Sequence, residues 1–427
     1  VNNRAVELRI ESIAAGGAGI GRLPDGRAVF VQRTAPGDRA LIEVTQLRKR
    51  FAYGRLLRVL EPGPGRREAP CPHYARCGGC TIEHLDYEHQ LRAKHAIVEA
   101  ALQRIGRLDV PRFEVVPSPR EFHYRNRLSF TLRRTQTGRV IAGFHEIDRP
   151  DRIVDITGAC LLPEEPIARA WQQVRDHWGA DAALLPSGEE LRLTLRASAS
   201  GQVALIIDGG YSRGQAQRLL EAVPGVSAIW HRGAADQTHQ LLAGEATLAE
   251  SWQDENIELS GTVFLQVNRT AAELLEEYVM QLAEQSRGRK VIDAYCGIGL
   301  HARRLARIGF DVVGIELDEG AVEEARRTAP PATSFIADRV ESALPSVLPA
   351  DLVILNPPRA GVDGEALDAL IAEPPARIIY ISCDPATLAR DLGRLSARFK
   401  LQSLRCFDLF PQTAHVESVA ELKCVTS

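Results

Sequence analysis

Five apolar runs in the C-terminal part of the chain leave little choice of architecture. Lys290–Ala294, Asp311–Ile315, Ser334–Ala337, Asp351–Leu355 and Arg377–Ile381 are apolar almost throughout, and helix-length stretches separate them. A strand without a polar face must be covered on both sides, which at this rhythm means a parallel sheet with helices on each face. Two further runs, Leu401–Leu409 and Val416–Val425, follow with no room for a helix between them. They predict an antiparallel hairpin at the sheet edge. Ligands of open α/β sheets bind beyond the carboxyl ends of the strands, so the residues after each run are the ones to read for chemistry.

The chain has 427 residues, enough for two to four domains. Residues 5–60 alternate apolar and polar side chains in short runs broken by Gly/Pro turns, the pattern of a small β-barrel. Pro and Gly around Glu61–Gly65 mark a linker. The reading is therefore a barrel over 1–62, a central α+β domain over 67–255 and an α/β domain over 256–427. The topology of 112–250 is left open. A helix near 86–106 is a candidate to pack on the last domain. The first 66 residues carry a net +6 and the remainder −9, so a small basic head sits on an acidic body. Such a head suits a polyanion. No apolar run approaches the ~18 residues of a membrane span, and the N-terminal residues lack the apolar core of a secretory signal. The expectation is a cytoplasmic protein with no membrane contact.

Asp293–Gly299 ends the first strand with a Gly-x-Gly turn, and Gly297 and Gly299 let a ligand approach the backbone. Glu316 closes the second strand at the offset where a carboxylate takes two ribose hydroxyls, and Asp338 closes the third, within reach of an adenine amine. The third glycine of a dinucleotide site is missing, and so is the Lys-Ser/Thr of a phosphate loop, which favours an adenosine ligand without phosphates. Asn356-Pro-Pro-Arg-Ala-Gly361 follows the fourth strand and Cys383 the fifth. A thiol there is poorly placed for packing and well placed for reaction. Thiolate addition to carbon 6 of a pyrimidine activates carbon 5 toward a methyl donor, and a base must then remove the carbon-5 proton. Cys383 and Glu417 supply that pair.

Eight cysteines without an export signal argue against a disulfide framework. Cys71, Cys77 and Cys80 cluster within ten residues, and with Cys160 they could hold zinc or an iron–sulfur cluster; spacing alone does not choose. Cys296, Cys406 and Cys424 read as small buried apolar residues.

The Gly-x-Gly segment resembles the class I (Rossmann-like) S-adenosylmethionine-dependent methyltransferases. More specifically, Asn356–Gly361, Ile378–Thr387 and Phe410–Glu417 resemble the motifs of the RNA 5-methyluridine methyltransferase family. The resemblance implies an enzyme with Cys383 as nucleophile and Glu417 as proton-abstracting base. It further implies that Gln266, within Phe264–Asn268, contacts S-adenosylmethionine, as do Tyr295, Glu316 and Asp338, with Asn356 facing the methyl donor. Two positions depart from the family: Asn356 stands for the usual Asp, and Asp384 for the usual Asn beside the nucleophile. A carboxylate next to Cys383 disfavours the thiolate unless it is paired. The segment around Cys71–Cys80 resembles that of 23S rRNA-modifying members, which implies a 4Fe–4S cluster on Cys71, Cys77, Cys80 and Cys160. Residues 1–60 resemble the TRAM domain, an OB-like RNA-binding barrel, and Arg48–Tyr53 interleaves basic and aromatic residues as such surfaces do. The expected substrate is a uridine of structured RNA, 23S rRNA ahead of tRNA, with no obligatory protein partner. Amino methylation of adenine or guanine is one alternative, although Arg359 stands where that chemistry usually has an aromatic; RNA binding without catalysis is the other.

Overall fold

In the computed structural model, which describes residues 5–136, 138–252 and 255–425, the chain forms two compact units. One contains 1–66, 84–119 and 270–427; the other contains 67–83 and 120–269. Residues 84–119 thus group with the C-terminal α/β domain rather than with the residues that flank them.

The barrel is built from β1 (Ala5–Ile13), β2 (Gly19–Arg22), β3 (Ala28–Val31), β4 (Arg39–Leu47) and β5 (Phe51–Glu61), closed in the order β1-β2-β3-β5-β4. Its alternation buries Ile10, Val29, Val31, Ile42 and Ala52 inside and leaves polar residues outside. Asp38 is fully buried at the β3–β4 turn. Its carboxylate accepts from the amides of Ala35 (2.7 Å) and Gly63 (2.8 Å) and pairs with Arg66 (2.6 Å). On the outer surface Phe30, Phe51 and Tyr53 cluster, with centroids 5.4–5.9 Å apart, beside the exposed Arg48, Lys49 and Arg50.

Next comes α1 (Tyr87–Ala101), started by Asp86, whose side chain accepts from the His89 amide. It runs into one π-helical turn at Leu102–Gly106, and a two-residue strand, β6 (Val115–Val116), follows.

The second unit is a seven-stranded sheet of β7 (Arg127–Arg134), β8 (Val140–His145), β9 (Ile153–Asp155), β10 (Glu190–Ala197), β11 (Val203–Asp208), β12 (Ala228–Arg232) and β13 (Gln240–Gly244). Its order is β13-β12-β11-β10-β7-β8-β9, antiparallel except between β11 and β12. The helices α2 (Glu165–His177) and α3 (Ala216–Ala222) share its core through Trp171, Val174 and Leu219. A separate hairpin, β14 (Thr247–Trp252) with β15 (Glu255–Ser260), completes it.

After α4 (Arg269–Glu284) the predicted alternation appears as β16 (Lys290–Ala294), α5 (Leu300–Arg307), β17 (Asp311–Glu316), α6 (Glu319–Thr328), β18 (Thr333–Ala337), α7 (Val340–Val347), β19 (Leu352–Leu355), α8 (Gly364–Ala372), β20 (Arg377–Ser382), α9 (Pro385–Leu395), β21 (Phe399–Phe407) and β22 (Glu417–Cys424). The sheet order is β18-β17-β16-β19-β20-β22-β21-β6, parallel from β18 to β20, with the expected hairpin at the far side. The strands β19 and β20 are buried at every residue, as their unbroken apolar runs require. The eighth strand, β6, pairs parallel with β21 (Cys406 with Val115) and is not legible as a run. The helices α1, α7, α8 and α9 share a single apolar core with the sheet, including Val98, Leu344, Leu367 and Leu392.

Removing one partner of a fully buried, paired carboxylate leaves the remaining polar groups uncompensated. Asp38→Ala is therefore expected to destabilise the barrel by about 3–5 kcal/mol in urea unfolding, against a change near zero for the exposed Asp25→Ala.

Candidate active site

The strand order reverses at β16, which opens a crevice between the loops that follow β16 and β19. The loop after β16 is tightly wound. Tyr295, Gly297 and Gly299 all have left-handed backbones, with φ of 64°, 55° and 73°. Gly299 also needs its missing side chain, because a Cβ there would lie 2.8 Å from the Phe335 ring. Above Gly297 the space is open, with nothing within 4 Å of a Cβ position, so a ligand can meet the backbone there. Glu316, at the end of β17, accepts from the Gly297 amide (3.0 Å) and the Asp318 amide (2.9 Å), which fixes its carboxylate beside the glycine turn. Asp338 follows β18, is exposed, and accepts from the Arg339 amide at 2.7 Å. Burial, with the nearby Glu341 carboxylate, pushes the Tyr295 hydroxyl up to about 12, so it stays protonated. An open glycine turn with two carboxylates on successive strand ends fits an adenosyl ligand.

Two strands along lies the second group. Ser382 pairs with Ser418 across the β20–β22 ladder, so Cys383 and Glu417, one position beyond that pair, face each other at the carboxyl end of β20. Cys383 is half-buried and Glu417 is buried. Desolvation and the Glu417 carboxylate raise the Cys383 thiol, and Arg359 opposes both. Burial pushes Glu417 up to about 8, again with Arg359 as the counterweight. Arg359 belongs to the loop after β19, and in the sequence it stands out only as the replacement of an aromatic. Its proximity to both acids comes from strand order, which no local motif states.

That loop is held from below. Asp391, fully buried in α9, accepts from the Tyr380 hydroxyl (2.7 Å) and the Val362 amide (2.9 Å), and Arg390 donates to the Ala360 carbonyl (2.9 Å). The Asn356 amide donates to the Ala294 carbonyl (3.3 Å) and links the loop to the cofactor strand. Asp384, the departure beside the thiol, caps α9 instead. Its carboxylate accepts from the amides of Ala386 and Thr387, both at 2.9 Å. The charge is thus engaged at a helix N-terminus, where it is stabilised.

Gln266 lies in the other unit, after the β14–β15 hairpin. Its carbonyl accepts from the Asn126 side-chain amide at 2.8 Å, and the Asn126 amide donates to the Val267 carbonyl at 2.9 Å. The cysteine segment is in that unit too. Cys71, Cys77, Cys80 and Cys160 line one pocket, together with Glu83, His73, Tyr74, Phe122 and Phe144. Burial raises the Cys71, Cys80 and Cys160 thiols, the last to about 12. The Gly79 amide approaches the Cys77 sulfur at 3.4 Å, the Cys71 amide donates to Glu83 (2.8 Å), and His73 Nε2 donates to the Gly158 carbonyl (2.8 Å). Among the described residues no three His, Cys, Asp or Glu side chains are grouped as a single metal ion would need. Of the remaining cysteines Cys406 is buried, while Cys296 and Cys424 are half-buried.

Comparison with known proteins agrees with this layout. Residues 345–424 match the tRNA (Uracil-5-)-methyltransferase family model, and residues 2–57 match the TRAM domain. An uncharacterized RNA methyltransferase of Gloeobacter violaceus is 36% identical over 99% of this chain and 97% of its own length. Another from Halalkalibacterium halodurans is 30% identical over 99% and 97%. Among solved structures, the Pyrococcus abyssi tRNA (uracil-54, C5)-methyltransferase in complex with S-adenosyl-L-homocysteine superposes with a TM-score of 0.76 and 26% identity, covering 98% of this chain and all of that one. With relatives alike over almost their whole length, a TRAM barrel at one end and the catalytic fold at the other, the chain belongs to the S-adenosylmethionine-dependent RNA (uracil-5-)-methyltransferases.

Proposed function

We propose that this protein methylates carbon 5 of a uridine in structured RNA, with Cys383 as nucleophile and Glu417 as base. The observation that carries the reading is the thiol and the buried carboxylate facing each other at one strand end, with Arg359 balancing both. S-adenosylmethionine, when bound, supplies the methyl group. Gly297 and Gly299 give it backbone access, Glu316 takes the ribose hydroxyls and Asp338 the adenine amine; Tyr295 and Asn356 complete the contacts from this unit.

The electrostatics bear on both steps. An ionised Glu417 opposes the Cys383 thiolate before the attack on carbon 6, and Arg359 offsets that cost. Once sulfur is bonded to carbon the thiolate charge is gone, and that opposition with it. Glu417 takes the carbon-5 proton, the carbon–hydrogen electron pair restores the double bond, and the Cys383–carbon 6 bond breaks to release the thiolate. The target must leave its stack to reach the thiol, so base flipping is part of the reading.

The aromatic and basic face of the barrel supports RNA as the partner. For the RNA class, 23S rRNA follows from the resemblance of the cysteine segment. The second reading is tRNA, favoured by the likeness to the Pyrococcus abyssi tRNA (uracil-54, C5)-methyltransferase. We also propose that Cys71, Cys77, Cys80 and Cys160 hold a 4Fe–4S cluster. Thiols raised by burial ionise only against a cationic group. The four cysteines line one pocket, and the Gly79 amide approaches the Cys77 sulfur at 3.4 Å, which supports the reading. The cytoplasm, where free thiols persist and these RNAs are made, is the compartment this reading implies.

Cys383→Ala is expected to abolish methyl transfer and covalent RNA adducts while leaving S-adenosylmethionine affinity unchanged; retained turnover would sink the assignment. Tritium release from RNA labelled at uridine carbon 5, run separately on unmodified 23S rRNA and tRNA, identifies the substrate.

Release should rise with pH through about 8 as Glu417 ionises. Because Arg359 lowers both acids, Arg359→Gln should move that limb to higher pH and reduce the rate at pH 7.5 by about tenfold. Raising the pH to 9 should restore part of it, and Arg359→Lys should keep most of the activity.

Glu417 also leaves a mark on stability. Folded, the carboxyl keeps its proton to about 8; unfolded, it releases it near 4.5. Its contribution is therefore complete below pH 4.5 and disappears as pH rises through 8. Relative to wild type, Glu417→Gln should gain about 2–4 kcal/mol between pH 5 and pH 8.5 in urea unfolding.

A further inference from the structure

The segment that delivers Glu417 is held both by its own turn and by side chains from elsewhere in the chain. Between β21 and β22 it runs from Asp408 to Val416, and polar anchors reach it from α1, more than 300 residues earlier in the chain. Gln90 is fully buried and exchanges two hydrogen bonds with Gln412. Its Nε2 donates to the Gln412 side-chain oxygen (2.8 Å), and its own oxygen accepts from the Gln412 amide (2.9 Å). The same Nε2 donates to the Leu85 carbonyl (3.0 Å), which ties the clamp to the start of α1. One turn further along α1, Lys94, also fully buried, pairs with Asp408 and donates to the Phe410 carbonyl (3.1 Å).

Two features show that these contacts impose the loop's geometry. Gln412 has φ of 70°, a left-handed conformation that a residue with a side chain adopts only when its surroundings enforce it. In addition, the Phe410 carbonyl accepts from Lys94, from the Thr413 amide (3.2 Å) and from the Thr413 hydroxyl (2.9 Å), so the turn closes on the atom that Lys94 holds. Five residues after Gln412 the chain enters β22 at Glu417.

We propose that Gln90, with Lys94, is a positioning residue for the proton-removal half of the reaction. It fixes the 408–416 loop so that the Glu417 carboxylate meets carbon 5 after methyl transfer. The proposal rests on Glu417 being the base. Neither residue needs to touch RNA or cofactor, and Cys383, which follows β20, is carried by a strand these contacts do not hold. Loss of the clamp should therefore slow proton removal and leave addition to carbon 6 intact.

The test compares wild type, Gln90→Met, Gln412→Gly and Glu417→Gln. Three quantities are read: S-adenosylmethionine affinity, steady-state methylation, and the fraction of enzyme trapped as a denaturant-stable RNA adduct. Gln412→Gly suits the left-handed backbone, so it removes the side-chain half of the clamp with little risk to folding. Both clamp variants are expected to bind the cofactor as wild type does, turn over at least tenfold more slowly and accumulate more adduct. A purely structural defect would lower turnover and adduct together, and that result, or unchanged turnover, overturns the proposal. Glu417→Gln separates the two readings. Trapped adduct in Glu417→Gln but not in the clamp variants defeats the positioning role alone. No adduct in Glu417→Gln defeats the base assignment and the proposal with it.

Discussion

The register between β20 and β22 is the constraint on which the chemistry depends. Side chains alternate along a strand, so a slip of one residue would turn Glu417 to the opposite face and bring Ser418 or Val416 toward Cys383. The register is set by burial: β20 is buried at every position, and β22 is buried from Glu417 to Leu422. The Arg377–Glu421 pair, buried on both sides and joined at 2.6 Å, sits at the other end of the same ladder and admits one alignment. An ion pair in such a place adds little net stability, but mispairing it would leave two buried charges uncompensated. Specificity of register, rather than strength, is what it contributes.

A buried carboxylate beside a thiol is a poor arrangement for either group alone, and the fold tempers it from three directions. Arg359 offsets both acids from the loop after β19. Asp391 keeps that loop in place from α9. Asp384, which could have added a further negative charge next to Cys383, is engaged by the amides at the start of the same helix. The departure from the family pattern at 384 is thus absorbed by local capping. At 356 the backbone role survives, since the hydrogen bond from its amide to the Ala294 carbonyl does not depend on which side chain is present.

Much of this is legible in the sequence where the information is local. The parallel strands, their order of appearance, the antiparallel hairpin, the barrel and the glycine turn can all be read because each is written in a contiguous run of residues; the edge itself is taken by β6. What escapes reading is non-local. The two residues of β6 carry no period of their own and become a strand only because the edge of β21 accepts them. The sheet of the second unit resists ordering because its pairings are non-local: β7 with β10 depends on contacts across about sixty residues. Arg359 is visible as a residue but not as a neighbour of Glu417. Gln90 and Lys94 give no sequence signal, since a Gln and a Lys on a helix read as its solvated face. Their burial follows from what packs over them.

Chain order and spatial order part company most clearly at residues 84–119. The chain leaves the barrel, supplies the cysteine segment to one unit, then gives α1 and β6 to the other before returning for 120–269. Closing so long a loop costs only logarithmically more than closing a short one, so the arrangement is inexpensive in stability. Its effect falls on assembly. The loop that carries Glu417 meets Gln90 and Lys94 only once the distant α1 has docked against the sheet. The Cys383 strand, by contrast, is embedded in the parallel sheet through β19. The two halves of the site therefore draw on different parts of the chain: the nucleophile on the sheet itself, the base on a helix threaded in from the N-terminal side.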